Sequence, residues 1–382
     1  MRANCAWWSW LAIAALGVAV ALAGCGGAGS GSGGHGGGSP AGTGGQAGTT
    51  ATGTGGQAGT GQSGAGGGQA GAGGLGGAGG QAPTSYAITF GPLQVGPGVE
   101  DTQCVVVRLG NSAAIHVGQV HNQAGPAAVQ MILYTSTDTT EQPTPFRCTP
   151  FVGVYTQSGM TPLTISQNSD ETLTFPAGVG IPLAANQMMR IELHFVNAST
   201  TDSVSIQATS TLTTIPDGSF QSAAAFLAVE DIDVSLSPGA AQTMLGPVFV
   251  PFPANVTGAK FFAATGEEHK WGTSAQLFSA ASSFDPGTSI YLDTTWNTPP
   301  LTPLQPALTA AAGAGFNLLC TWHSLSPSFV TYGHASTDEI CLFVAYYYPS
   351  QGPQVCVHTD KTGTGIDVFC CPGDSTCASL TN

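Results

Sequence analysis

The sequence carries little charge, and almost none of it is positive. Its 382 residues include 7 lysines and arginines against 21 aspartates and glutamates, which gives a net charge of −14. After Arg2 the next charged residue is Glu100. Because binding to phosphates and to anionic lipid headgroups needs clustered lysine and arginine, this balance excludes nucleic acid as a partner and disfavours electrostatic attachment to a membrane.

The sequence also lacks clear helical periodicity and the local motifs of common enzyme classes. It has no G-x-S-x-G nucleophile elbow and no glycine-rich phosphate loop between a predicted strand and a predicted helix. What recurs is short alternating or apolar runs bounded by Gly, Pro, Asn and Asp, at 127–134, 189–195, 203–208, 316–322 and 341–348. Runs of this length and spacing are typical of antiparallel β-sandwiches, so the sequence predicts an all-β fold.

The first 25 residues have the pattern of a secretory signal. Arg2 precedes an apolar run that ends near Leu22 and is shorter than the about 20 residues that a membrane span needs. The segment Leu22-Ala23-Gly24-Cys25 resembles the lipobox of bacterial lipoproteins. That resemblance implies a lipid on Cys25, and Gly26, where inner-membrane retention often places Asp, favours the outer membrane or cell surface. The alternative is ordinary secretion with Cys25 incidental.

The composition divides the chain into five predicted segments. Residues 26–82 contain no charged or aromatic side chain, so they cannot offset the entropy cost of ordering and predict a disordered linker. A Pro-Asp-Gly turn at 216–218 marks a boundary between two folded parts. The prediction is a signal peptide, a lipid-anchored Gly/Ala/Thr/Gln-rich linker, two sandwiches and a cysteine-rich tail, at 1–24, 25–82, 83–215, 216–349 and 350–382.

Four stretches carry a resemblance to a known family. Residues 264–272 (ATGEEHKWG) match an A-T-P-H-M-H-L-L-G stretch, and 320–341 match a C-x-Y…V-x-x-G…D-E-M-C segment. Residues 129–134 and 191–195 stand in the places of H-H-M-L-L-F and L-Q-V-H-Y. Together they resemble the copper type II, ascorbate-dependent monooxygenases, which include peptidylglycine alpha-hydroxylating and dopamine beta-monooxygenase. The resemblance implies two tandem antiparallel jelly-roll sandwiches, a copper site in each, and hydroxylation with O₂ and ascorbate.

Most of that family's copper-ligand positions hold other residues here. The six positions fall on Val129, Gln130, His194, Glu267, His269 and Ile340. Only His194 and His269, one in each sandwich, keep a histidine. Copper prefers imidazole and thioether donors, and one imidazole does not fix the ion. The sequence therefore predicts a non-catalytic binding or structural module, a pseudoenzyme that holds an unidentified small molecule or protein.

Two other functions remain open at this point. An active copper monooxygenase would use substitutes such as Glu267, Gln130 and spare histidines. A weak zinc protein would use Glu267 and His269, which lie two residues apart on a predicted strand and so share one face, with water completing the shell. The alternative for these two residues is an exposed polar pair.

The remaining histidines and acidic residues give weaker predictions. His116 and His121 face opposite sides of a regular strand unless a bulge at Gly118 brings them together. Asp231 and Asp233 share a strand face and could bind Ca²⁺ weakly, or they lie in a solvated turn. His323 and His334 are expected at surface or loop positions. His358, in the tail, is expected to be solvated.

Ten cysteines indicate an oxidising compartment. Removing Cys5 with the signal and Cys25 to lipid leaves eight, an even number. The family resemblance implies the pairs Cys104–Cys148 and Cys320–Cys341. In the tail, the adjacent cysteines 370 and 371 do not easily pair with each other. Two disulfide connectivities therefore remain open: 356–370 with 371–377, or 356–371 with 370–377. The alternative is a zinc site formed by all four tail cysteines.

Overall fold

The computed structural model describes residues 83–151, 159–360, 368–371 and 377. All of them belong to one compact unit, Gly73–Asn382. The predicted signal, the lipidation site Cys25 and the linker lie outside the described residues. Within the described ranges, no helix has the length and apolarity that crossing a membrane requires.

The first half of the described chain forms two facing sheets. Its strands are β1 Ser85–Val95, β2 Glu100–Arg108, β3 Ile115–Ala124, β4 Ala128–Ser136, β5 Gln142–Arg147, β6 Met160–Ser166, β7 Asp170–Thr174, β8 Val179–Leu183, β9 Met188–Val196, β10 Val204–Thr214 and β11 Ser222–Ala223. One sheet has the strand order β1-β10-β3-β8-β11, with β7 also paired to β3, and the other has the order β5-β2-β9-β4-β6. Side chains such as Phe90, Ile191 and Ile206 fill the layer between the two sheets.

The second half forms another pair of sheets. Its strands are β12 Ala225–Asp231, β13 Ser235–Leu236, β14 Thr243–Pro251, β15 Lys260–Glu267, β16 Gly272–Ala280, β17 Thr288–Asp293, β18 Thr302–Thr309, β19 Gly315–Trp322, β20 Val330–Thr331, β21 Leu342–Tyr348, β22 Gln354–His358 and β23 Val368–Cys371. A six-stranded sheet of order β18-β15-β21-β12-β22-β23 faces a four-stranded sheet of order β14-β19-β16-β17, and β13 pairs with β20.

This architecture confirms the prediction of an all-β fold built from two tandem jelly-roll-like sandwiches. The apolar runs in the sequence become β4, β9, β10, β19 and β21. Most strand pairs are antiparallel; the parallel pairs in the described part are β8 with β11 and β12 with β22. Strand β10 ends at Thr214, and a short 3₁₀ turn, Asp217–Ser219, follows it.

The inner sheet of the second sandwich is covered on both faces. Along β21, Leu342, Val344 and Tyr346 pack into the core that includes the first sandwich. The alternate residues Phe343 and Ala345 pack into the core of the second sandwich instead. Successive strand residues point to opposite faces, so a strand buried on both sides is apolar throughout rather than alternating.

The cysteine-rich tail continues the second sandwich. Strand β22 pairs with β12, and β23 pairs with β22. Disulfides Cys356–Cys370 and Cys371–Cys377 form, which selects one of the two connectivities that the sequence leaves open. The pairs implied by the resemblance, Cys104–Cys148 and Cys320–Cys341, are also present.

Candidate functional site

Glu267 connects the two sandwiches. It is the last residue of β15, is 7% exposed, and its Oε2 accepts hydrogen bonds from Gln130 Nε2 and Gln167 Nε2, each 2.9 Å long. Gln130 lies on β4, and Gln167 follows β6, so both donors belong to the first sandwich. Two amides therefore satisfy a buried carboxyl group across the interface.

His269 lies beside Glu267 and contacts three residues through its ring and its backbone N–H. Its Nδ1 donates to the backbone carbonyl of Asp338 at 3.0 Å, and its Nε2 is 3.8 Å from Glu267 Oε1. Its backbone N–H donates to Glu339 Oε2 at 2.9 Å. Burial lowers the pKa of His269, but the neighbouring Glu267 and Glu339 carboxyl groups and the Asp338 carbonyl raise it further, so the pKa lies above its usual value.

Glu339 fixes the turn that carries His269. It is fully buried and also accepts hydrogen bonds from the backbone N–H of Trp271 at 2.8 Å and from Trp322 Nε1 at 2.9 Å. Burial raises the pKa of Glu339, and these hydrogen bonds and His269 offset only part of that rise. Glu339 thus orients the backbone around His269 rather than facing a cavity.

His194 takes part in a second connection between the sandwiches. It lies on β9 opposite Gln130 of β4, and its Nε2 is 3.0 Å from Glu100 Oε1. Glu100 also accepts hydrogen bonds from the backbone N–H and the hydroxyl of Ser336, at 2.7 and 2.6 Å. Burial raises the pKa of Glu100, but the bonds from Ser336 and His194 lower it further, to a value below the usual one.

A cavity of about 380 Å³ is lined by residues of both connections. Its polar lining includes Glu100, Gln130, Glu192, His194 and His334. The His334 ring lies 4.3 Å from the Phe151 ring, and its Nε2 is 3.3 Å from the hydroxyl of Tyr332. Burial, with smaller effects of nearby histidines, lowers the pKa of His334 to about 4, although Glu267 opposes the shift. The imidazole is therefore neutral at pH 7.

The residues at the family's copper positions do not fit copper. Val129 offers no donor, Gln130 and Glu267 bond to each other, and Ile340 is fully buried in the core. Among the described residues, only two groups of three His, Cys, Asp or Glu side chains bring ligand atoms within 4.8 Å of one another, and neither includes His194, His269 or Glu267. A type II copper site needs such a convergent set of nitrogen and sulfur donors.

The spare histidines do not complete a site with His194. His116 and His121 lie on β3 of the first sheet, whereas His194 lies on β9 of the second. His116 stacks on Phe220 with ring centroids 3.8 Å apart, and His121 Nε2 is 2.9 Å from Asp170 Oδ1. A bulge does occur at Gly118, where the pairing of β3 with β10 skips one residue.

The structure corrects three expectations about exposure. Glu267 and His269 are not an exposed polar pair, because each is at least nine-tenths buried. Asp231 is 1% exposed rather than part of a solvated turn. His358 is not fully solvated, since its Nδ1 lies 3.2 Å from Asp231 Oδ2.

The candidate metal residues His194, His269 and Glu267 therefore lie along one interface, and whether they hold an ion remains a prediction. Sequence reasoning missed Glu100, Gln167 and Ser336 in this interface, and treated His334 as a loop histidine. No local pattern marks these residues, because their contacts depend on how the two sandwiches pack.

The fold and this interface define a protein of two β-sandwiches joined by buried polar contacts. No protein-family model matches the sequence, and no curated protein matches it. The major capsid protein P2 of bacteriophage PM2 is 8% identical, with a TM-score of 0.33, over 71% of this chain and 99% of that chain. A subviral particle of VP2 of infectious bursal disease virus is 8% identical, with a TM-score of 0.18, over 70% of this chain and 71% of that chain. Likeness at these scores carries no argument about function.

Proposed function

We propose that the folded part is a non-catalytic binding and structural module on a scaffold like that of the copper monooxygenases. One observation carries this proposal: Gln130 and Glu267, which stand at two of that family's ligand positions, are hydrogen-bonded to each other. A carboxyl oxygen engaged by two amides in a buried interface serves to join the sandwiches. The lipid on Cys25 and the glycine-rich linker would hold this module at the outer membrane or cell surface.

The ligand that we propose for this module is a small polar molecule. The cavity of about 380 Å³ offers an imidazole on each side, from His194 and His334, together with the carboxyl group of Glu100. Binding sites of this kind fix orientation through a few convergent polar groups. Imidazole and carboxyl groups of this kind suit a ligand with hydroxyl or amide groups.

Copper loading of the full-length protein tests this proposal. After incubation with excess Cu²⁺ and dialysis, we expect no copper held by His194 or His269 and no ascorbate-dependent oxygen uptake. His269→Ala and His194→Ala should leave the residual copper unchanged, as should the surface variant His121→Ala. Two coppers per chain, lost in the His269 and His194 variants but not in the His121 variant, would overturn the proposal in favour of an active monooxygenase.

A further inference from the structure

A separate cluster of metal-binding side chains lies where the tail joins the second sandwich. Strands β12 and β22 are parallel, and Asp231 and His358 are partners in their register. Because parallel strands end at the same edge of a sheet, the residues that follow them also meet there. Asp233 follows β12 and Asp360 follows β22, so one imidazole and three carboxyl groups converge at this edge.

The spacing of Asp231 and His358 suits two ligands of one ion. Asp231 Oδ2 lies 3.2 Å from His358 Nδ1, and both atoms are buried. In a tetrahedral zinc site with bonds of about 2.0–2.1 Å, neighbouring donor atoms lie about 3.3 Å apart, which is the spacing of this pair.

Asp233 supplies a third donor. Ligand atoms of Asp231, Asp233 and His358 all lie within 4.8 Å of one another. In tetrahedral coordination each of these atoms can reach a common ion after small side-chain movements, and water can take the fourth position.

Neighbouring groups orient these donors. Asp231 Oδ1 accepts a hydrogen bond from the backbone N–H of Asp233 at 2.9 Å, which leaves Oδ2 directed at the cluster. The carboxyl oxygens of Asp233 accept bonds from the Thr359 hydroxyl at 2.9 Å and the Asp360 backbone N–H at 2.6 Å. The Asp360 carboxyl group lies 3.6 Å from His358 Nε2, on the side of the ring away from Asp231. Metal-bound histidines typically have a carboxylate at the second ring nitrogen.

We propose that Asp231, Asp233 and His358 form a binding site for Zn²⁺ or a closely similar divalent transition-metal ion. The imidazole favours zinc over calcium, which takes six to eight oxygen ligands, and over magnesium, which keeps most of its water. The bound ion would link β22 and the disulfide-bonded tail to β12. This proposal is independent of the function proposed for the interface between the sandwiches.

Zinc titration of the metal-free, full-length protein tests the site. Calorimetry in competition with a chromophoric chelator should give one Zn²⁺ per chain. Asp231→Asn and His358→Gln should each weaken zinc binding at least about 100-fold, and Asp360→Asn about 10-fold. The matched control His121→Gln removes a histidine that also faces an aspartate, but outside the cluster, and should leave zinc binding unchanged.

Cobalt spectra keep the test decisive if the buried variants fail to fold. Circular dichroism reports the folding of each variant, and Asp360 is exposed, so its substitution disturbs no core group. Co²⁺ in the wild-type protein should show the visible bands of a four-coordinate site, and Zn²⁺ should displace it. Three results would overturn the proposal and leave Asp231 and His358 as an ion pair only. The first is that zinc does not bind stoichiometrically, and the second is that the protein prefers Ca²⁺. The third is that the zinc affinity is unchanged in Asp360→Asn and in those buried variants that fold.

Discussion

Burial, more than any single partner, sets the protonation of His334. The ring packs against Phe151 in the cavity, and its pKa falls to about 4 because the charged form loses solvent there. The unfolded chain takes up a proton near pH 6.5, whereas the folded chain does so only near pH 4. The stability contributed by neutral His334 is therefore complete above pH 6.5 and is lost as the pH falls toward 4.

His334→Gln should make the protein less sensitive to acid. Between pH 7 and pH 4 the free energy of unfolding of the wild type should fall by about 2–3 kcal/mol more than that of the variant, because only the wild type must keep this imidazole neutral. Denaturant unfolding at pH 7, 5.5 and 4 measures the difference. Parallel pH profiles for the two proteins would show that His334 is not held neutral by the fold.

Single residues also show how far the sequence predicts the site. The two-residue spacing of Glu267 and His269 suggests neighbouring side chains, and their polar atoms lie 3.8 Å apart, but β15 ends at Glu267 and His269 lies after the strand rather than on it. Their burial could not be predicted, because Gln130 and Gln167 cover Glu267 from a segment about 100 residues or more away in the chain. The contact of Asp231 with His358 likewise depends on a parallel pairing of two distant strands that no local pattern reveals.

At the scale of elements, β3 shows why one glycine is required. The pairing of β3 with β10 is regular up to Gln119 opposite Thr213, and then skips Gly118 so that Val117 faces Thr214. A Cβ atom at Gly118 would overlap Ile215 Cγ2. The extra residue bends β3 and lets the segment after β10 pack closely against it.

Gly118→Ala should destabilise the protein by about 1–3 kcal/mol, because Ile215 and the bulge must both shift to admit the methyl group. Gly218→Ala is the matched control, since a Cβ there meets no atom within 4 Å. Thermal or denaturant unfolding of both variants measures the difference. Equal stabilities would mean that the packing at the bulge is looser than the structure indicates.

The positions of several strands can be predicted from the sequence. The short alternating run 189–195 identifies β9, and the run 341–348, rich in aromatic and aliphatic residues, identifies β21. The order of strands within each sheet does not follow, because it depends on contacts between distant segments. The burial of β21 on both faces explains why its run is apolar without alternation.

At the scale of the whole molecule, polar contacts accompany apolar packing between the sandwiches. Glu267 bonds to Gln130 and Gln167, Glu100 bonds to Ser336, and the Tyr346 hydroxyl bonds to the backbone of Ile165 at 3.1 Å. Phe175 and Phe262 add an aromatic contact with ring centroids 5.6 Å apart. Buried hydrogen bonds of this kind fix one relative orientation, because misalignment would leave carboxyl groups without donors.

Gln130 and Glu267, at two of the expected ligand positions, are hydrogen-bonded across the two sandwiches. A double-mutant cycle on Gln130→Ala and Glu267→Ala, followed by denaturant unfolding at pH 7, measures their coupling free energy directly. We predict a favourable coupling of about 1–3 kcal/mol, as for a hydrogen bond to a buried carboxyl group. The exposed pair Gln123 and Asp170 has the same chemistry at 3.3 Å and should show less than about 0.5 kcal/mol. Equal coupling in both pairs, or none between Gln130 and Glu267, would mean that this hydrogen bond does not hold the sandwiches together.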